Sequence, residues 1–168
     1  RIVERIIESS FESRYGGTFR TNVYVNRAAY AEHLALVKGD IRAPGPVMVR
    51  MHRLSVFRDL LGDKLDSHVG ELQASMRLIA REGRGVVVLI REPWVSSLSD
   101  SMRTPDGADD PAQVQDPALR DYGVGAQILI DLGVQDMILL TNSSRTIVGL
   151  EGYGLRVLER RPIPAGDS

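Results

Sequence analysis

An unbroken aliphatic run, Val86-Val87-Val88-Leu89-Ile90, follows Gly85 and stands directly behind a helical stripe made by Val69, Leu72, Met76 and Ile79. A half-exposed strand would alternate apolar and polar residues; an unbroken run predicts a central strand buried on both faces. Gly83 ends the stripe at the place where helices close on a left-handed residue. A strand buried on both faces needs a covering layer on each side of its sheet. This helix–strand unit therefore constrains the chain to an α/β architecture with helices on both faces.

The rest of the sequence adds elements around that unit. Phe19, Thr21, Val23 and Val25 interleave with Arg20 and Asn22, the pattern of a half-exposed strand. His33 to Val37 and Val47 to Met51 read as two more strands, divided by the turn-forming Pro44-Gly45-Pro46. Asp116-Pro117 is a good helix start, with Asp as N-cap and Pro at the first helical position, and Gly133 is its stop. Met137 to Leu140 and Leu155 to Leu158 are strands, and Ser143 or Ser144 can cap a short helix ending near Gly152. The N-terminal group of strands makes the expected sheet a mixed one. At the N-terminus, Ile2, Val3, Ile6 and Ile7 recur at helical spacing. Residues 1–12 are accordingly expected to be an amphipathic connector helix, with the domain proper at 13–164. Between Pro93 and Asp116, Ser, Asp and Pro crowd together, which predicts a long, exposed and mobile surface loop.

Composition narrows the function classes. A chain of 168 residues suffices for one domain with a real core. The net charge of −1 offers no broad basic face for nucleic acid. No apolar run is long enough to cross a membrane, and no signal peptide is visible. There is no cysteine, which excludes disulfides and agrees with a cytoplasmic protein. The chain opens on Arg1 and not on Met, as expected of a segment cut from a longer polypeptide or of a chain from which a tag was removed.

Several strings carry a stronger signal when taken in order. They are Tyr15-Gly16-x-x-Phe19, His33-Leu34-Ala35-Leu36-Val37-Lys38-Gly39-Asp40-Ile41, Pro46 to His52, Ile79 to Gly85, Arg120-Asp121-Tyr122-Gly123-Val124-Gly125-Ala126-Gln127-Ile128-Leu129, Leu139-Leu140-Thr141-Asn142 and Gly149 to Leu155. Together they closely resemble the GTP cyclohydrolase II family, which opens the guanine ring of GTP for riboflavin synthesis. The resemblance implies a mixed α/β fold, a homodimer and, in many members, an upstream domain that makes dihydroxybutanone phosphate. It also implies a catalytic zinc held by three cysteines, in the pattern Arg-x-His-Ser-Glu-Cys followed by Cys-Asp-Cys.

The chemistry of that family is where this chain departs. Aligned from Arg50 and His52 without a gap, the three cysteine positions fall on Ser55, Asp66 and His68. Asp66 and His68 are able to ligate a metal, or are surface polar residues before a helix. Ser55 is a poor ligand, because a neutral hydroxyl donates weakly. The family's substrate loop, Arg-Gln-Glu-Gly-Arg-Gly, is here Arg91-Glu92-Pro93-Trp94-Val95-Ser96. The glycines that let backbone approach phosphate are gone, and a proline removes a donor. Trp94 either stacks on a ligand or anchors the loop. No tyrosine lies between Trp94 and Asp121 to serve as the family's catalytic one. Ala118 stands at the position of the family's general base, where a methyl group cannot accept a proton. Arg120 keeps the family's arginine, and Arg50 and Thr141 keep positions that resemble substrate contacts. The two arginines fit structural ion pairs or residual anion binding equally well. The lysine of the family's Thr-Asn-Asn-Pro-x-Lys string is Thr146, with Arg145 beside it.

Metal, base, tyrosine and loop serve one transition state, so their joint loss predicts a domain without the family's catalysis and without its zinc. The expected role is a structural or regulatory module of a riboflavin-synthesis protein, paired with itself and with a dihydroxybutanone-phosphate synthase domain. An enzyme of altered metal chemistry built on His52, Asp66 and His68 is one alternative, and a sensor of nucleotide or flavin is another.

Overall fold

A computed structural model describes residues 2–28, 31–91, 97–103, 117–143 and 150–164. Its frame is a mixed seven-stranded sheet: β1 (Val3–Ser13), β2 (Gly17–Asn26), β3 (Ala31–Lys38), β4 (Val47–Arg53), β5 (Gly85–Ile90), β6 (Asp136–Leu140) and β7 (Arg156–Arg161). The spatial order is β1-β2-β3-β5-β4-β6-β7. The half from β1 to β5 is antiparallel, and the half from β5 through β4 and β6 to β7 is parallel. Helices α1 (Glu71–Glu82), α2 (Ser97–Arg103) and α3 (Pro117–Asp131) accompany the sheet among the described residues. One π-helical turn, Val56–Leu60, follows β4.

The aliphatic run lies where its composition requires. β5 is flanked by β3 and β4, and Val86, Val87 and Val88 are fully buried. Alternation sends neighbouring side chains to opposite faces. Val86, Val88 and Ile90 join Val124, Ile128 and Leu129 of α3, and Leu132 just after it, in one core. Val87 joins Leu72, Met76 and Ile79 of α1 in the other. The two helices thus cover opposite faces of the sheet. Gly83 closes α1 with φ +85°, and its N–H returns to the carbonyl of Ile79.

The N-terminal segment corrects the expected helix. Residues 3–13 form β1, which pairs antiparallel with β2 from Val3↔Asn26 to Ser13↔Gly17. A register shift between Arg5 and Ile7 lets Ile6 and Ile7 both face outward, at 43% and 56% exposure. Adjacent apolar pairs four residues apart fit one helical face. They fit a bulged edge strand equally well, and β-branched residues with a complementary neighbour decide for the strand. β1 is also tied to α3, through Arg5 to Asp131 at 2.9 Å and Ile2 N–H to Gln127 at 3.2 Å.

The expected long loop is corrected within its described part: Ser97–Arg103 is helical, with Leu98 and Met102 exposed. The remainder of 93–116, including Trp94 and the cap Asp116, lies outside the described residues, as does most of the helix expected after Ser143. Among the described residues, no helix is long and apolar enough to cross a membrane.

Candidate functional site

Where β4, β5 and β6 end, the chain leaves the sheet toward α1 on one face and α3 on the other. Such carboxyl edges form crevices in open α/β sheets. A cavity of about 200 Å³ opens there. Arg50 to Arg53 of β4 and Ile90 of β5 make its floor, Thr141, Asn142 and Ser143 after β6 make one wall, and Arg58, His68, Glu71 and Tyr122 make the rest.

Glu71, the first residue of α1, organises the wall. Its Oε1 accepts from Asn142 Nδ2 at 2.9 Å and from His68 Nδ1 at 3.0 Å, while its Oε2 faces Arg50 Nη2 at 3.3 Å. Arg50 also donates to the carbonyl of Leu140 and to His52 Nδ1 at 3.2 Å. Burial works to lower the pKa of the Arg50 guanidinium, and the Glu71 carboxylate opposes it. Arg50 makes an ion pair with Glu71 and also lines the cavity, so both of its expected roles stay open.

His52 lies two residues further along β4 and is only 1% exposed. An arginine can only donate, so Nδ1 of His52 accepts and the ring proton sits on Nε2. That proton is donated to Asp59 Oδ2 at 2.9 Å. Burial lowers the His52 pKa, and the Asp59 carboxylate works against that shift. The same Asp59 oxygen takes the Ser55 N–H at 2.8 Å, so the π turn is stitched to the end of β4. The other oxygen, Oδ1, is buried without a partner among the described residues.

The three positions aligned with cysteines all belong to this network. Ser55 caps the π turn, its Oγ accepting from Arg58 N–H at 3.3 Å. Asp66 takes Arg58 Nε on Oδ2 at 2.9 Å and His68 N–H on Oδ1 at 2.8 Å. His68 spends Nδ1 on Glu71. Asp66 differs from the surface reading, because its side chain is 7% exposed; His68 agrees with it at 52%. A catalytic zinc needs three strong donors free to point at one place. Ser55 Oγ is a weak donor already accepting a backbone bond, and both Asp66 oxygens are committed. The set does not fit that metal, and among the described residues no group of three or more His, Asp or Glu could hold a metal ion.

Thr141 follows β6 directly: its N–H bonds the carbonyl of Arg161, and its Oγ1 bonds the backbone N–H and C=O of Ser143, each at 2.9 Å. Arg120 and Ala118 lie in the first turns of α3, with side chains outside the described residues. Sequence reasoning missed Glu71, Arg58, Asp59 and Asn142. A carboxylate at the start of α1 and the adjacent Arg58-Asp59 in the zinc loop were the available signals, but neither names its partner.

Comparison with known proteins identifies the family. The family model for GTP cyclohydrolase II matches residues 4–162. The riboflavin biosynthesis protein RibBA of Chlorobium phaeovibrioides is 37% identical over 172 residues, 97% of this chain and 42% of the relative. RibBA of Mycobacterium ulcerans is 40% identical over 176 residues, covering 96% of this chain and 41% of the relative. Among solved structures, RibBX of A. baumannii, a two-domain 3,4-dihydroxy-2-butanone 4-phosphate synthase, superposes with a TM-score of 0.65 at 29% identity. That match covers 98% of this chain and 41% of RibBX. The chain thus spans about two-fifths of the length of these relatives.

Proposed function

The chain belongs to the GTP cyclohydrolase II family, and we propose that it is a catalytically silent member serving riboflavin biosynthesis as a structural or regulatory domain. The observation that carries this reading is the commitment of Ser55, Asp66 and His68 to hydrogen bonds within the protein, in place of ligands aimed at a metal. Without a Lewis acid at that place, no water is activated for attack on the guanine ring. The sequence adds a methyl group, Ala118, where the base would stand. The core of both faces is meanwhile complete, so the domain keeps its shape without the chemistry.

A domain of this kind acts through its surface. The two-domain RibBX supports a dihydroxybutanone-phosphate synthase as the fused partner. The exposed Ile2, Ile6, Ile7 and Phe11 along edge strand β1 support self-association as a twofold dimer, which sedimentation at micromolar concentration tests. A second reading is favoured by the cavity itself: Arg50, Arg53, Thr141 and Ser143 line a space suited to an anionic nucleotide or a flavin phosphate. A melting shift with GTP or FMN separates a sensor from a pure scaffold.

The test of silence is restoration. A Ser55→Cys, Asp66→Cys, His68→Cys variant is expected to bind one zinc and still not turn over GTP, because the base and the substrate loop remain changed. Family-like activity in that variant would show that the metal alone had been lacking. Absence of zinc binding would show that the loop has lost the metal site's geometry as well as its ligands.

A further inference from the structure

The segment joining β4 to α1, residues 54–70, is closed around a cation of its own. Arg58 stands in the π turn with its side chain 11% exposed, and its Nε donates to Asp66 Oδ2 at 2.9 Å, with Asp66 7% exposed. Its backbone N–H goes to Ser55 Oγ. Asp66 in turn takes the His68 N–H, and His68 bonds Glu71 at the head of α1. One residue is therefore bonded directly to two of the three cysteine-aligned positions, and through Asp66 to the third.

We infer that the Arg58 guanidinium replaces the metal ion in this chain, as the resident cation that holds the 54–70 segment closed. The inference rests on the reading that no zinc site exists here. Its physics is simple. A metal ion crosslinks a loop because one compact positive charge attracts several donors. A guanidinium offers the same sign of charge and several N–H groups in a fixed plane. It differs in two ways that matter. It is covalently part of the loop, so no chelator removes it, and it does not titrate at any pH the protein meets. It also occupies Asp66, a buried carboxylate among the three aligned positions. Its field reaches the neighbouring groups: Arg58 disfavours the charged forms of both Arg50 and His52.

A buried cation matched to a buried carboxylate supplies the test. Thermal melting is followed for the unmodified chain, for Arg58→Met and for Arg58→Met/Asp66→Leu, each with EDTA and with added ZnCl2. The unmodified chain is expected to melt at the same temperature in both. Arg58→Met leaves a buried carboxylate unpaired and is expected to melt lower by roughly 10 °C. Zinc is expected to leave that melting unchanged, since freeing Asp66 alone does not assemble three strong donors. The double variant removes both charges and should regain most of the lost temperature while ignoring zinc. If Arg58→Met is too unstable to purify, a stable double variant still carries the inference. Melting of Arg58→Met indistinguishable from the unmodified chain overturns it and leaves the silent-domain reading standing. So does a double variant no more stable than Arg58→Met. Stoichiometric zinc retained by the unmodified chain overturns the silent-domain reading beneath it.

Discussion

His33 gives this fold a specific weakness in acid. It lies in β3, is 4% exposed, and its Nδ1 accepts the backbone N–H of Arg91 at 3.0 Å. Burial, with the Arg91 cation adding to it, holds its pKa down to about 4 against the ordinary 6.5. Protonation therefore needs a proton on the very nitrogen that receives Arg91, and breaks that bond. A histidine whose folded pKa lies below its unfolded value contributes stability above the unfolded pKa, and loses it as pH falls toward the folded one. The full loss is about 3 kcal/mol, of which about 2 kcal/mol falls between pH 7 and pH 5. His33→Asn replaces the ring with a side chain whose oxygen is able to accept from Arg91 but does not titrate. Urea unfolding of both proteins across that range isolates the effect, since the carboxylates and His52 are common to both. The unmodified chain should lose about 2 kcal/mol more than the variant on acidification. Parallel pH profiles would refute the reasoning and place the His33 ring in contact with water.

Two further substitutions probe the framework that holds the site. Gly39 has φ +71°, and a Cβ there would stand 2.1 Å from the carbonyl oxygen of Gly83, so Gly39→Ala should cost at least ~2 kcal/mol in urea unfolding. Arg84 donates to the carbonyls of Ala43, Gly45 and Pro46 at 2.6 to 2.9 Å, clasping the turn before β4; Arg84→Ala should cost about 1–2 kcal/mol, measured the same way.

Much of this fold is written locally. The β5 run, the α1 stripe and the glycine stops each depend on near neighbours in sequence, and each stands where the pattern places it. β1 depends on a partner strand and a bulge, and spacing alone cannot tell that arrangement from a helical face. Ser97–Arg103 carries its helix inside a stretch whose composition speaks for a loop. The site follows the same division. Arg50 and Thr141 are legible through their motifs. Glu71 meets Asn142 across 71 residues of chain, and no local pattern announces that meeting. Arg58 and Asp59 look like a solvated pair of charges on a loop, yet one pairs with Asp66 and the other with His52. Their roles come from the way the loop closes, which spacing does not encode.

Whether this domain opens the guanine ring decides between a silent domain and an enzyme. Ring opening releases formate from GTP, and formate is measured directly. With the purified chain at micromolar concentration, zinc and magnesium supplied and GTP in excess, the expected release equals that of a protein-free control. Sustained formate release, abolished by chelation and restored by zinc, would contradict it, because Ser55, Asp66 and His68 would then have to leave their present partners and hold a working metal.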